Sequence, residues 1–154
     1  MSNHLSDQAT ILIHAIFSTR NQEHLIEEEI APLLYTCVEG TLFGQFHSPA
    51  LKTGGGSDHV HILLGLSRIV SPDALIHVVK NRSADFIRSF GGQYADFEWQ
   101  EGYAIFTVGR SQAEEAKAYI TNQREYHKTT SFRDEYRSIL TAHGIEYDEK
   151  EMWD

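Results

Sequence analysis

The stretch TGGGSDHVHILLGL, residues 53 to 66, restricts the fold more than any other part of this chain. Three consecutive glycines suit a turn or a backbone pressed against a neighbour, and they lead into an apolar segment of strand length. Just before them, QFHSPALKT reads as another short strand, interrupted by Pro49 and therefore at a sheet edge or a bulge. The two predict a hairpin that turns on GGGSD. Residues two apart in a strand share a face, so His59 and His61 project together while Val60, Ile62 and Leu64 point the other way. With helices covering the Val60 face, both imidazoles are expected on the opposite, open face, within reach of one metal ion. Taken alone, the pair also fits two solvated histidines on the polar face of a half-buried strand.

The rest of the chain supplies the elements such a hairpin needs. ATILIHAIFST (9 to 19) reads as a buried strand, and LIEEEIAPLLYTCVEGTLF (25 to 43) has the three-four apolar spacing of an amphipathic helix, with Pro32 either kinking it or marking its true start. A second helix opens at Ser71 as N-cap with Pro72 and Asp73 behind it, and Gly91 and Gly92 stop it. EWQEGYAIFTVG (98 to 109) reads as the last strand. Ser111 with Glu114, and Ser131 with Asp134, open helices over 111 to 128 and 131 to 144. The order βαββαβ plus two helices predicts an α+β, ferredoxin-like antiparallel sheet with both core helices on one face. All 154 residues are expected to form one domain, with its core over 9 to 109 and an extension over 111 to 154.

Composition narrows the setting. Cys37 is the sole cysteine, which excludes a disulfide framework and a cysteine-based zinc site and suggests a reducing, cytoplasmic location. Neither a basic leader with an apolar core nor a membrane-length apolar window is read in the sequence. The net charge of −9 argues against a nucleic-acid partner at first sight, yet residues 1 to 50 and the acidic tail after Gly144 carry the whole excess. Residues 51 to 143 balance eleven acids with eleven bases, so a local basic groove is compatible with the sequence.

Two imidazoles do not complete a site. On the helix over 111 to 128, Tyr119 and Gln123 are four apart and share a face. A glutamine oxygen can ligate a hard cation, and a tyrosine hydroxyl beside one can act as a nucleophile; a packing aromatic and a solvated amide fit the same spacing. His14, His77 and His127 read most simply as hydrogen-bonded packing residues and stay outside the site.

DHVHILL, WQEGYAIFTV, YITNQREYHKTTSFRDEY and HGIEYDEKEMWD, in that order, resemble the single-tyrosine HUH transposases of bacterial insertion sequences and their palindrome-associated relatives. The likeness runs from IHAIFSTRNQ at residue 13 to the end. It implies an enzyme that cleaves and rejoins single-stranded DNA at hairpin-marked ends, with a divalent ion, Mg²⁺ or Mn²⁺, on His59, His61 and Gln123 and with Tyr119 as nucleophile forming a 5′-phosphotyrosine. It further implies a homodimer in which the tyrosine helix can serve the partner's histidines, acting in the cytoplasm on the nucleoid. DNA contacts are expected from Lys52, Lys80, Arg82, Arg110, Lys117, Arg124 and Lys128, above all from Lys80, where the family commonly carries a lysine. One departure is Tyr126 with His127, where many relatives have two histidines; Tyr126 lies seven residues after Tyr119 and is a second candidate nucleophile. Two other readings stay open: a hairpin-binding protein of the same fold that does not cut, and a phosphodiesterase in which water attacks.

Overall fold

Alternation of apolar side chains builds the centre of the sheet. The computed structural model describes residues 7–153, among which four strands form one sheet: β1 (Leu12–Ser18), β2 (Ala50–Gly55), β3 (His59–Gly65) and β4 (Ala104–Val108). Their order is β2-β3-β1-β4 and each neighbouring pair is antiparallel, which is the ferredoxin-like arrangement. Ile13, Ala15 and Phe17 on β1 and Val60, Ile62 and Leu64 on β3 are buried on one face. Against them lie α1 (Ala31–Phe46), through Leu34, Val38 and Leu42, and α2 (Pro72–Arg88), through Leu75, Ile76, Val79 and Ile87. Burying such side chains stabilises the fold by roughly 1.5–3 kcal/mol each before entropy is counted.

The other face is not open. Ile16, Ala104 and Phe106 are buried there under Phe132 and Leu140 of the helix α5 (Phe132–Ala142), so the expectation of solvent-facing imidazoles is corrected. The cause is the amphipathic pattern of α5, whose Phe132, Tyr136, Ile139 and Leu140 need an apolar surface and find the second face of the sheet. Ser131 caps this helix as predicted, its hydroxyl accepting from the Asp134 amide at 3.1 Å.

Several boundaries shift for local reasons. α1 begins at Ala31 instead of residue 25, because Pro32 belongs to a first turn, where its missing N–H costs nothing. β2 is an edge strand with a register shift between Ala50 and Lys52, the bulge expected of a strand beside Pro49, and it runs on through Gly54 and Gly55. Of the predicted last strand only Ala104–Val108 is ladder; Trp99 makes an isolated bridge to Thr19. The tyrosine helix is broken into α3 (Ala113–Thr121) and α4 (Gln123–Tyr126) at Asn122, with φ −90° and ψ 11°. Ser111 does not cap it; the Gly109 amide donates instead to Gln112 Oε1 at 3.3 Å. The last short helix, α6 (Glu149–Met152), is capped by Asp148. No helix among the described residues is long and apolar enough to cross a membrane.

The glycine run sets how closely α3 approaches the sheet. A Cβ on Gly54 would lie 2.6 Å from the Ile120 carbonyl oxygen and 2.9 Å from its Cγ2, so only glycine lets α3 lie directly on β2. Gly54→Ala is expected to lower stability by about 1–3 kcal/mol through overpacking. Gly40→Ala, in mid-α1 with nothing within 4 Å of the new methyl, should raise it by about 0.5–1 kcal/mol. Urea unfolding of both variants checks the contrast, and equal shifts in the same direction contradict it.

Candidate active site

Six segments meet over the second face of the sheet. β3 contributes His59 and His61, paired across the ladder with Ser18 and Ile16 of β1, and both rings are fully buried. Phe132 of α5 stacks on His59, with centroids 4.4 Å apart and planes inclined by 25°. β1 brings His14, α3 brings Tyr119, α4 brings Gln123, the turn after it brings His127, and α5 brings Glu135. The break at Asn122 leaves Tyr119 and Gln123 facing the same carboxylate: the Tyr119 hydroxyl donates a very short hydrogen bond to Glu135 Oε2, and Gln123 Nε2 donates to that oxygen at 2.8 Å. Tyr119 also stands beside its own chain's histidines, its ring centroid 5.7 Å from that of His61.

Acceptor atoms crowd one point. Because Gln123 spends its NH₂ on Glu135, its Oε1 turns to His59 Nε2 at 2.7 Å and to His127 Nε2 at 3.0 Å. Glu135 Oε1 faces His61 Nε2 at 3.2 Å, His59 Nε2 at 3.5 Å and His127 Nε2 at 2.9 Å. On its far side His59 Nδ1–H donates to Asp58 Oδ1 at 2.7 Å, and His61 Nδ1 meets His14 Nε2, also at 2.7 Å. A neutral His59 with Nδ1–H committed to Asp58 presents only a lone pair at Nε2, and that lone pair meets an amide oxygen. Such an arrangement calls for a proton or a cation between the atoms.

The donor set fits a divalent ion. One ligand atom from each of His59, His61 and Glu135 lies within 4.8 Å of the other two, and Glu135 Oε1 is 3.2 Å from His61 Nε2 and 3.5 Å from His59 Nε2, spans that pairs of bonds of roughly 2.0–2.3 Å can bridge. Gln123 Oε1 adds a neutral fourth donor on the same side. Two imidazole nitrogens with two oxygens suit Mn²⁺ or a later transition metal as well as Mg²⁺.

Burial and hydrogen bonding divide the charges. Burial pushes the His14 imidazole down to about 3 and, opposed by the Glu135 hydrogen bond, the His61 imidazole down to about 4, so both are neutral near pH 7. For His127 burial works the same way, but the hydrogen bond and charge of Glu135 outweigh it and favour the imidazolium; both of its nitrogens face oxygens, the second being Thr130 O at 2.6 Å. Glu135 is opposed by its own burial yet held well below the usual carboxylate range by hydrogen bonds with His127 and His61. Burial first, then the bond to Glu135, raises the Tyr119 phenol far above its ordinary value, so it rests protonated.

The structure therefore brings His59, His61, Gln123 and Tyr119 together. Of the expected DNA contacts, Lys80 is buried and its ammonium donates to the carbonyls of Gln100 and Gly102 at 2.6 and 2.8 Å. Arg82 and Arg110 are exposed and Lys52 is half-buried on the edge strand. Lys117 and Lys128 pair with Glu114 and Glu125 at 3.2 and 2.8 Å, and Arg124 lies against Tyr35 of α1. His77 stays on the surface beside Asp73. Tyr126 packs near Tyr119, centroids 5.9 Å apart, without joining the carboxylate. Sequence reasoning missed Glu135 and set His14 and His127 aside. The signal for Glu135 was an acid on the apolar stripe of α5, one position before Tyr136 and three after Phe132, where a solvated carboxylate would not be placed.

Residues 7–123 match the IS200-like transposase family. The chain belongs to that family and is a DNA transposase by descent. Among solved structures, a candidate transposase from Deinococcus radiodurans R1 superimposes with a TM-score of 0.62 and 20% identity, covering 80% of this chain and 98% of that one. A REP-associated tyrosine transposase bound to a REP hairpin gives a TM-score of 0.56 and 11% identity, covering 79% of this chain and 72% of that one. At these identities the likeness is one of fold. No curated protein sequence matches the chain. The family match contains His59, His61, Tyr119 and Gln123 and ends before His127 and Glu135.

Depressed imidazole values have a signed consequence. Stability from His14 and His61 is present above their unfolded value of 6.5 and is lost as pH falls toward about 3 for His14 and about 4 for His61. In the metal-free protein the His14 and His61 ring resonances should stay at their neutral positions by NMR as pH is lowered from 7.5 to 5. Titration of either with a midpoint near 6.5 contradicts the burial argument.

Proposed function

We propose that this chain is a metal-dependent tyrosine DNA strand transferase that cleaves and rejoins single-stranded DNA at hairpin-marked ends. The observation that carries this reading is Tyr119 sharing the Glu135 carboxylate with the metal-fitting imidazole His61 and the amide of Gln123. His59, His61, Gln123 and Glu135 would hold a divalent ion, Mg²⁺ or Mn²⁺. When bound, that ion polarises phosphoryl oxygens and offsets the charge that builds up in an in-line displacement.

The residues themselves account for the rest. Glu135, already hydrogen-bonded to the phenol, accepts the Tyr119 proton as the phenolic oxygen attacks phosphorus. The bond from phosphorus to the 3′ oxygen breaks, and that oxygen leaves as a 3′ hydroxyl by taking a proton from water, the resulting hydroxide being neutralised by the proton that Glu135 releases. The 5′ phosphate remains esterified to Tyr119, which conserves the bond for rejoining. In this reading Tyr119 serves its own chain's histidines, the distance to His61 being short within one subunit. The 154 residues act as one HUH domain, working in the cytoplasm on nucleoid DNA as a homodimer, with Arg82, Arg110 and Lys52 on its accessible surface as phosphate contacts.

A second reading is a hairpin-binding protein that does not cut, favoured by the full burial of His59 and His61 beneath α5. For a phosphate to reach the imidazole nitrogens, α5 must give way. Incubation with single-stranded hairpin ends and Mn²⁺, followed by a denaturing gel, separates the two. A covalent protein–DNA band that disappears in Tyr119→Phe and persists in Tyr126→Phe is expected. Hairpin binding with no adduct supports the binder, and a band retained in Tyr119→Phe overturns Tyr119 as nucleophile.

A further inference from the structure

The two strand histidines are held from behind by different kinds of partner. His61 Nδ1 meets His14 Nε2, and an imidazole can donate or accept, so this contact allows either ring to carry the shared proton. His59 Nδ1 meets Asp58 Oδ1 at 2.7 Å, and an ionised carboxylate only accepts. Asp58 is itself buried, at 7% exposure, and its backbone carbonyl accepts from the amide and hydroxyl of Thr19, which pins the residue to the end of β1. The chain makes room for this pair as well. A Cβ on Gly56 would lie 2.9 Å from His59 Cε1 and 3.2 Å from its Nδ1, so the third glycine of the run lets the ring and its carboxylate lie against the turn.

We infer that Asp58 is a positioning residue that fixes His59 in its Nδ1–H tautomer, so that the Nε2 lone pair is aimed at the point shared with Gln123 and Glu135. The inference rests on the cation reading of the proposed function and assigns a role within it to a residue that touches neither ion nor DNA. Outer carboxylates of this kind fix the ring and raise its basicity, and their loss typically weakens metal binding 10–100-fold. Replacement by asparagine is informative because it keeps the shape. Its NH₂ can turn to Nδ1 and favour the opposite tautomer, which removes the lone pair from Nε2.

The test uses the full chain and two readouts, Mn²⁺ affinity by titration calorimetry and the His59 ring nitrogen shifts in ¹⁵N-labelled, metal-free protein. The wild type is expected to show His59 protonated at Nδ1. Asp58→Asn and Asp58→Ala should bind Mn²⁺ at least tenfold more weakly and lose the preference for Nδ1–H, with helical circular dichroism retained. Should the alanine variant not fold, the isosteric asparagine variant is judged by the same criteria. Wild-type binding combined with affinities within twofold in the variants overturns the role of Asp58 and leaves the cation site standing. Failure of the wild type itself to bind Mn²⁺ overturns both.

Discussion

One buried carboxylate, that of Glu135, is shared by His61, Tyr119, Gln123 and His127, which come from a strand, two short helices and a turn. A carboxylate sealed from water is costly unless each of its lone pairs is matched, and here each oxygen has at least two polar neighbours. The same group therefore couples three things that could otherwise be separate: closure of α5 over the sheet, orientation of the amide oxygen, and placement of the phenol. Removing one partner leaves the others facing an unmatched charge, which is why the site acts as a unit.

The supporting architecture works by close approach. Gly54 lets α3 rest on β2, which fixes where Tyr119 begins, and the break at Asn122 redirects the chain so that Gln123 points inward beside it. Gly56 allows Asp58 and His59 to fold against their own turn. The glycines of residues 54 to 56 thus serve both sides of the site, one bringing the tyrosine helix in and another seating His59.

The sheet order, the hairpin and the shared face of His59 and His61 were legible because each follows from alternation or from turn chemistry over a few residues. Helix starts at Ser71 and Ser131 were legible for the same reason. The closed second face was not, because it depends on a long-range match between the stripe Phe132–Tyr136–Ile139–Leu140 and Ile16 and Phe106, which no local window contains. The straight helix expected over 111 to 128 failed at Asn122, where tertiary contacts of Gln123 with His59 and Glu135 replace continuity of the helix. Glu135 and His127 escaped because an acid on the stripe of α5 marks burial without naming a partner, and a lone histidine fits a hydrogen-bonded packing role, until the fold brings both to β3. The residues of the family resemblance, His59, His61, Tyr119 and Gln123, do meet, and those beyond the family match complete their surroundings.

Convergence of His59, His61, Gln123 and Glu135 on a single cation is the claim on which the chemistry stands. Anomalous diffraction from crystals grown with Mn²⁺ tests it most directly. The account predicts one strong peak about 2.0–2.3 Å from Nε2 of both strand histidines, with oxygen atoms of Gln123 and Glu135 completing the set. A peak held by exposed carboxylates elsewhere, with the histidine nitrogens still facing Gln123 and Glu135 directly, would contradict it.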